Sequence, residues 1–95
     1  MTGLVVAPHA RRDIARRVDY LLERNPDAPA AFVAGLGALF AMLVDGNVDG
    51  AETTLRHGRR IRRWPVPPMV VFYDRHATLV RIVRVYHGRR RPIAR

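Results

Sequence analysis

Ninety-five residues, 48% of them hydrophobic and none of them cysteine, suffice for one modest core and exclude disulfide frameworks, thiolate metal sites and thiol nucleophiles. Seventeen basic residues, all arginine, face eight acids for a net charge of +9. The charge is uneven: residues 1–55 hold five arginines and seven acids, whereas residues 56–95 hold twelve arginines and Asp74 as their one acid. Such a half attracts polyanions or an acidic protein partner, and arginine suits bidentate contact with carboxylate or phosphate.

The chain opens on the apolar run Leu4-Val5-Val6-Ala7, a short strand candidate and too brief for the apolar core of a secretion signal. With no cysteine to protect, a single domain over residues 1–95 in the cytoplasm is expected. Pro8 and His9 open a helix, because proline is tolerated in a first turn. Ala10, Ile14, Val18, Leu21 and Leu22 then recur at helical spacing to Arg24, which makes the helix amphipathic. Asn25-Pro26-Asp27-Ala28-Pro29 breaks it and supplies turn and cap chemistry for a second helix over about 30–44.

That second helix has no charge from Ala28 to Val44. Phe32, Leu36, Leu39, Phe40 and Leu43 form an apolar stripe, with Ala31, Ala34, Ala38 and Ala41 beside it. A helix apolar all round is normally buried all round, so part of it is expected to meet another chain. It is too short and too rich in Gly and Pro to span a bilayer, and no membrane association is expected.

After the turn-rich Asp45-Gly46-Asn47-Val48-Asp49-Gly50 the period changes. Ile61 to Val66, Met69 to Tyr73 and Leu79 to Tyr86 read as three strands, with Pro67-Pro68 at a bend and a short hairpin connection over Asp74 to Thr78. The layout is α+β: an N-terminal strand and a helical hairpin packed on one face of a small antiparallel sheet. The last strand is unusual, since a β-branched run carries Arg81 and Arg84 and ends in Tyr86-His87-Gly88 and three more arginines. Period-two alternation puts Arg84 and Tyr86 on one face and Arg81 and His87 on the other.

The stretches APHARRDIARRVDYLLER, IRRWPVPPMVVFY and IVRVYHGRRR, in this order, resemble the RelE/ParE superfamily of toxins from bacterial type II toxin–antitoxin modules, on the ParE side. The resemblance rests on Ala10, Asp13 and Tyr20 in helix one, Ile61-Arg62 and Trp64-Pro65-Val66, the Phe72-Tyr73 pair, and Arg84-Val85-Tyr86-His87-Gly88-Arg89-Arg90. Arg91 stands where the family has an acid, Pro67-Pro68 replaces a polar pair, and a loop proline near Asn47 is missing.

The resemblance implies a cognate antitoxin as partner, higher-order toxin–antitoxin assembly, and one of two chemistries. In the ParE-like one, the toxin poisons DNA gyrase without catalysis of its own. Arg62, Arg81, Arg84, Arg89, Arg90 and Arg91 then form the surface for target or antitoxin. In the RelE-like one, the toxin cleaves mRNA in the ribosome, with Arg62 and Arg84 stabilising charge and Tyr86 or His87 moving protons. An inactive homologue that keeps antitoxin binding is a further alternative. Tyr73 and Tyr86 also read as core residues with satisfied hydroxyls. His9, His57, His76 and His87 are too scattered for a metal site, and no glycine-rich phosphate loop occurs; no cofactor is expected.

Overall fold

The computed structural model describes residues 2–46, 48–54 and 58–88. Its elements run β1 (Gly3–Val6), α1 (Pro8–Arg24), α2 (Ala28–Asp45), β2 (Ala51–Thr54), β3 (Arg60–Val66), β4 (Met69–His76) and β5 (Leu79–His87). The five strands make one sheet in the order β1-β5-β4-β3-β2. β2 to β5 form an antiparallel meander, and β1 adds a parallel pairing with β5, from Gly3 opposite Leu79 to Val6 opposite Ile82. The helical hairpin is the crossover between β1 and that meander, and it lies on one face of the sheet.

Helix α1 starts with Pro8 at its first position and no side-chain cap, as a residue without an N–H allows. The turn into α2 is built by Asn25, whose Oδ1 accepts the Asp27 N–H at 3.0 Å; Asp27 itself is helical in conformation and does not cap. Ala10 is fully buried, Ile14, Val18 and Leu21 pack on the core, and Leu22 is exposed. α2 buries Phe32, Leu36, Leu39 and Leu43 against Val71, Tyr73, Val80, Ile82 and Val85 of the sheet. Each such leucine contributes about 1.5–3 kcal/mol. The remainder of α2 is not covered: Val33 and Met42 are exposed, as are Ala31, Ala34, Gly37, Ala38 and Ala41. Burial all round is therefore not reached among the described residues. Gly46 ends the helix in the left-handed region at φ 74°, where glycine carries no steric cost.

Three findings depart from the reading of the sequence, the first being that Asp74, Arg75 and His76 continue β4 and leave Ala77-Thr78 as the hairpin turn, not the whole of Asp74 to Thr78. The meander has a fourth strand, β2, paired with Arg60 to Arg63 of β3. In β5 the register shifts, with Arg84 opposite Phe72 but Ile82 opposite Tyr73. One residue, Val83, is thus extra, and side-chain parity inverts across it. Val80, Ile82 and Val85 all reach the helix-side core. Arg81, Arg84 and Tyr86 consequently belong to the other face, so Arg81 does not share a face with His87. That other face has its own small cluster, Ile61, Val70, Phe72 and Tyr86, in which the Phe72 and Tyr86 rings meet edge-on with centroids 5.9 Å apart.

Candidate functional site

Polar side chains gather at three places around the sheet. The first is the edge of β5 beyond the point where β1 stops. There Asp13 of α1 accepts Arg84 Nε at 2.8 Å, Arg84 Nη2 at 3.1 Å and the Val85 backbone N–H at 2.9 Å. The Arg84 guanidinium also lies 4.4 Å from the Tyr86 ring centroid. The Asp13 hydrogen bond, set against burial, leaves the Arg84 pKa above its ordinary value. Beside this contact runs a groove of about 630 Å3 between α1 and the ends of β4 and β5, with Arg16, Arg17, Tyr20, Tyr86 and His87 along it. Tyr20 stacks against two guanidiniums, Arg24 at 3.5 Å and Arg17 at 4.8 Å from its ring centroid.

The second place is the connection from α2 to β2. The buried Tyr73 hydroxyl accepts the Gly50 N–H at 2.6 Å and donates to Asp49 Oδ1 at 3.2 Å. Arg62 donates to Gly50 O at 2.9 Å, and Arg75 donates to Leu43 O at 3.0 Å and to Asp49 Oδ1. A Cβ on residue 50 would stand 1.9 Å from Arg63 O, so only glycine fits there. Burial pushes the Tyr73 phenol above its ordinary pKa, against the lowering effect of the Gly50 hydrogen bond, and it stays a neutral hydroxyl.

At the third place Asp74, 9% exposed, accepts both Arg59 and Arg81 on Oδ2, the Arg81 contact being 2.9 Å. Oδ1 is buried without a partner among the described residues. Burial alone would push this carboxyl up, but hydrogen bonds and charge from Arg81 and Arg59 overcome it and hold the pKa below the ordinary carboxylate value.

The residues singled out in the sequence are thereby distributed. Arg62 points to the helix side and is tied to Gly50; Arg81 is tied to Asp74; Arg84 is tied to Asp13. Tyr86 and His87 line the α1 groove, Arg62 and Arg81 line the cleft at the opposite end, and Arg84 lines neither. Arg89, Arg90 and Arg91 lie outside the described residues. Asp49, Gly50, Arg59 and Arg75 carried no signal beyond turn composition and charge, and only the tertiary contacts assign them a part. Among the described residues no cluster of His, Asp and Glu is arranged to hold a metal ion.

The arrangement of helical hairpin, mixed sheet and α1-to-β5 ion pair can now be set beside known proteins. Residues 4–92 match the family described as ParE toxin of type II toxin-antitoxin system, parDE. The chain belongs to the ParE toxin family. Among solved structures, the chromosomal ParDE toxin–antitoxin system of P. aeruginosa superposes with a TM-score of 0.73 at 15% identity, over 92% of this chain and 96% of that one. At this identity the likeness is one of fold. No curated protein matches by sequence. The family span takes in every element from α1 to β5 and all of β1 but Gly3, so Asp13, Tyr73 and Arg84, which hold α1 and the α2–β2 connection to the sheet, lie within it.

Proposed function

We propose that this chain is the toxin of a type II module, arresting bacterial growth in the cytoplasm by poisoning DNA gyrase and neutralised by a cognate antitoxin. The observation that carries this reading is the ParE family match over residues 4–92. The poisoning mode is supported by the placement of the charge-stabilising candidates, since Arg62 lies at the opposite end of the sheet from the groove that holds Tyr86 and His87. Arg62 and Arg84 are engaged with Gly50 and Asp13 at separate places, whereas general acid–base catalysis needs its groups within hydrogen-bond reach of one reacting centre. Neutralisation is attributed to an antitoxin segment that lays apolar side chains on the uncovered face of α2 and carboxylates against exposed arginines.

The second reading, ribosome-dependent mRNA cleavage, draws on the groove that puts Tyr86 and His87 beside Arg16 and Arg17. One set of assays separates the two. A gyrase poison inhibits supercoiling or traps cleaved DNA with purified gyrase, and His87→Ala retains most of that effect because no proton moves. A ribonuclease cuts translated mRNA, leaves supercoiling intact, and slows by ~10²–10⁴-fold on loss of its proton-transfer residue. Normal growth on soluble expression of the chain without antitoxin would instead fit an inactive homologue.

A further inference from the structure

At the end of the sheet where β3 begins, β4 ends and β5 begins, Arg59, Arg60, Arg62, Arg75, His76 and Arg81 surround a cleft of about 390 Å3. Five guanidiniums there face two carboxylates, Asp74 and Glu52. Arg62 and Arg75 are spent on the Asp49-Gly50 connection. Arg59 and Arg81 are not spent in the same sense. A guanidinium has about five N–H donors, and among the described residues each of these two gives one hydrogen bond, to the same oxygen of Asp74. Their side chains remain 38% and 44% exposed. Arg60 has no partner among the described residues. Asp74 therefore acts as an internal anion that fixes two partly exposed guanidiniums side by side, next to a third that has no partner among the described residues.

We propose that this cleft binds the phosphodiester backbone of a nucleic-acid duplex without reading its sequence. Phosphate is the oxyanion that paired guanidiniums recognise through several charge-assisted hydrogen bonds at once. An acidic peptide fits less well, because stable peptide contacts centre on apolar or aromatic anchors seated in pockets, and Ile61, the lone apolar lining residue among the described ones, is 3% exposed. A single strand fits less well too: no Phe, Tyr or Trp lines the cleft, so unstacked bases have no platform. Backbone contact alone positions a protein on a duplex and carries no base readout. The inference does not depend on gyrase, and its test contains none.

The test is fluorescence anisotropy of the full chain with a labelled DNA duplex of about 20 base pairs, and an RNA duplex of equal length, across ~50–200 mM salt. Wild type binds both, and each removed phosphate contact lowers the slope of log affinity against log salt by about one. Arg60→Ser lowers that slope by about one and Arg59→Ser with Arg60→Ser by about two. The charge-matched pair Arg11→Ser with Arg12→Ser on α1 has a clearly smaller effect. Asp74→Asn, whose amide oxygen can still accept the guanidinium N–H groups while the negative charge at the cleft is removed, tightens binding and steepens the slope. Equal losses from the cleft pair and the α1 pair would overturn the proposal, as would unchanged binding by Asp74→Asn. Competition by polyglutamate as effective as that by unlabelled duplex would also overturn it, in favour of an acidic polypeptide. Arg60→Ser, which breaks no hydrogen bond or ion pair of its side chain among the described residues, keeps the test readable if the double variant fails to fold.

Discussion

Asp13 and Arg84, separated by 71 positions in sequence, close a two-point ion pair between the first helix and the last strand. The place of that contact follows from the topology. β1 covers the edge of β5 only to Val6 opposite Ile82, after which Ala7 N–H reaches Ile82 O and the chain turns into α1. The next edge donor, Val85 N–H, would be orphaned there, and Asp13 takes it. One carboxylate thus completes the sheet edge and anchors the helix.

This relationship predicts a coupled loss of stability. Arg84→Ala leaves a nearly buried carboxylate with one hydrogen bond and is expected to cost about 2–3 kcal/mol, whereas Asp13→Asn, which can still accept Val85 N–H, costs about 1 kcal/mol. The double variant is expected to fall short of the sum by ~1 kcal/mol or more, because both substitutions break the same pair. Urea unfolding of the four proteins measures the cycle. Simple additivity would mean that the contact contributes nothing in solution. A loss of toxicity in Arg84→Ala is accordingly to be read against its stability before any role in target binding is assigned.

A second prediction concerns the α2–β2 connection. Tyr73→Phe keeps the ring in the core but orphans the Gly50 N–H, and the cost of a buried unsatisfied donor is about 1–3 kcal/mol. Gly50→Ala drives a Cβ into the Arg63 carbonyl and is expected to cost ~3 kcal/mol. Thermal unfolding followed by far-ultraviolet circular dichroism distinguishes the two from wild type. An alanine variant as stable as wild type would show that the connection relaxes freely.

Most of the fold was legible because the chain switches cleanly between a 3.6-residue and a two-residue apolar period. Proline at residues 8 and 67–68 then marked a helix start and a hairpin bend. β2 was not legible: Ala-Glu-Thr-Thr is a polar edge strand with no apolar alternation to betray it. The bulge at Val83 was hidden for the opposite reason, since Leu79 to Tyr86 is β-branched on both parities and supports either register. The basic half was plain in composition. Which arginines are occupied was not, because Asp13 and Asp49 come from the acidic half and meet Arg84 and Arg75 only through the fold.

Asp74 gives the pH prediction. Its folded pKa is depressed by Arg81 and Arg59 in spite of burial, so folding binds fewer protons there than the unfolded chain does. A depressed carboxylate contributes stability that is present above its unfolded value, near ~4, and is lost as pH falls through the folded value. The melting temperature of wild type is expected to fall from pH ~5 to pH ~3, and that of Asp74→Asn to fall less over the same interval. Parallel curves for the two proteins would place the acid sensitivity elsewhere.

The uncovered face of α2 yields the prediction that bears most directly on neutralisation. Val33 and Met42 are exposed on a helix with no charged residue from Ala28 to Val44, and small side chains lie between them. The domain core uses the Phe32, Leu36, Leu39 and Leu43 stripe with Phe40 beside it, and at about 100° per residue Val33 and Met42 flank that stripe on its two sides, so an exposed charge at either position leaves the core intact. Val33→Glu with Met42→Glu is therefore expected to fold with a melting temperature close to wild type. Burying a charge at an interface position that the partner covers is costly, and a carboxylate there would also face the acidic segment proposed for the antitoxin. In growth assays the variant should still arrest cells when expressed alone, and co-expressed antitoxin should fail to restore growth. Full rescue of this variant, with unchanged affinity in a pull-down titration, would remove α2 from the neutralising interface and leave the arginine face as its sole support.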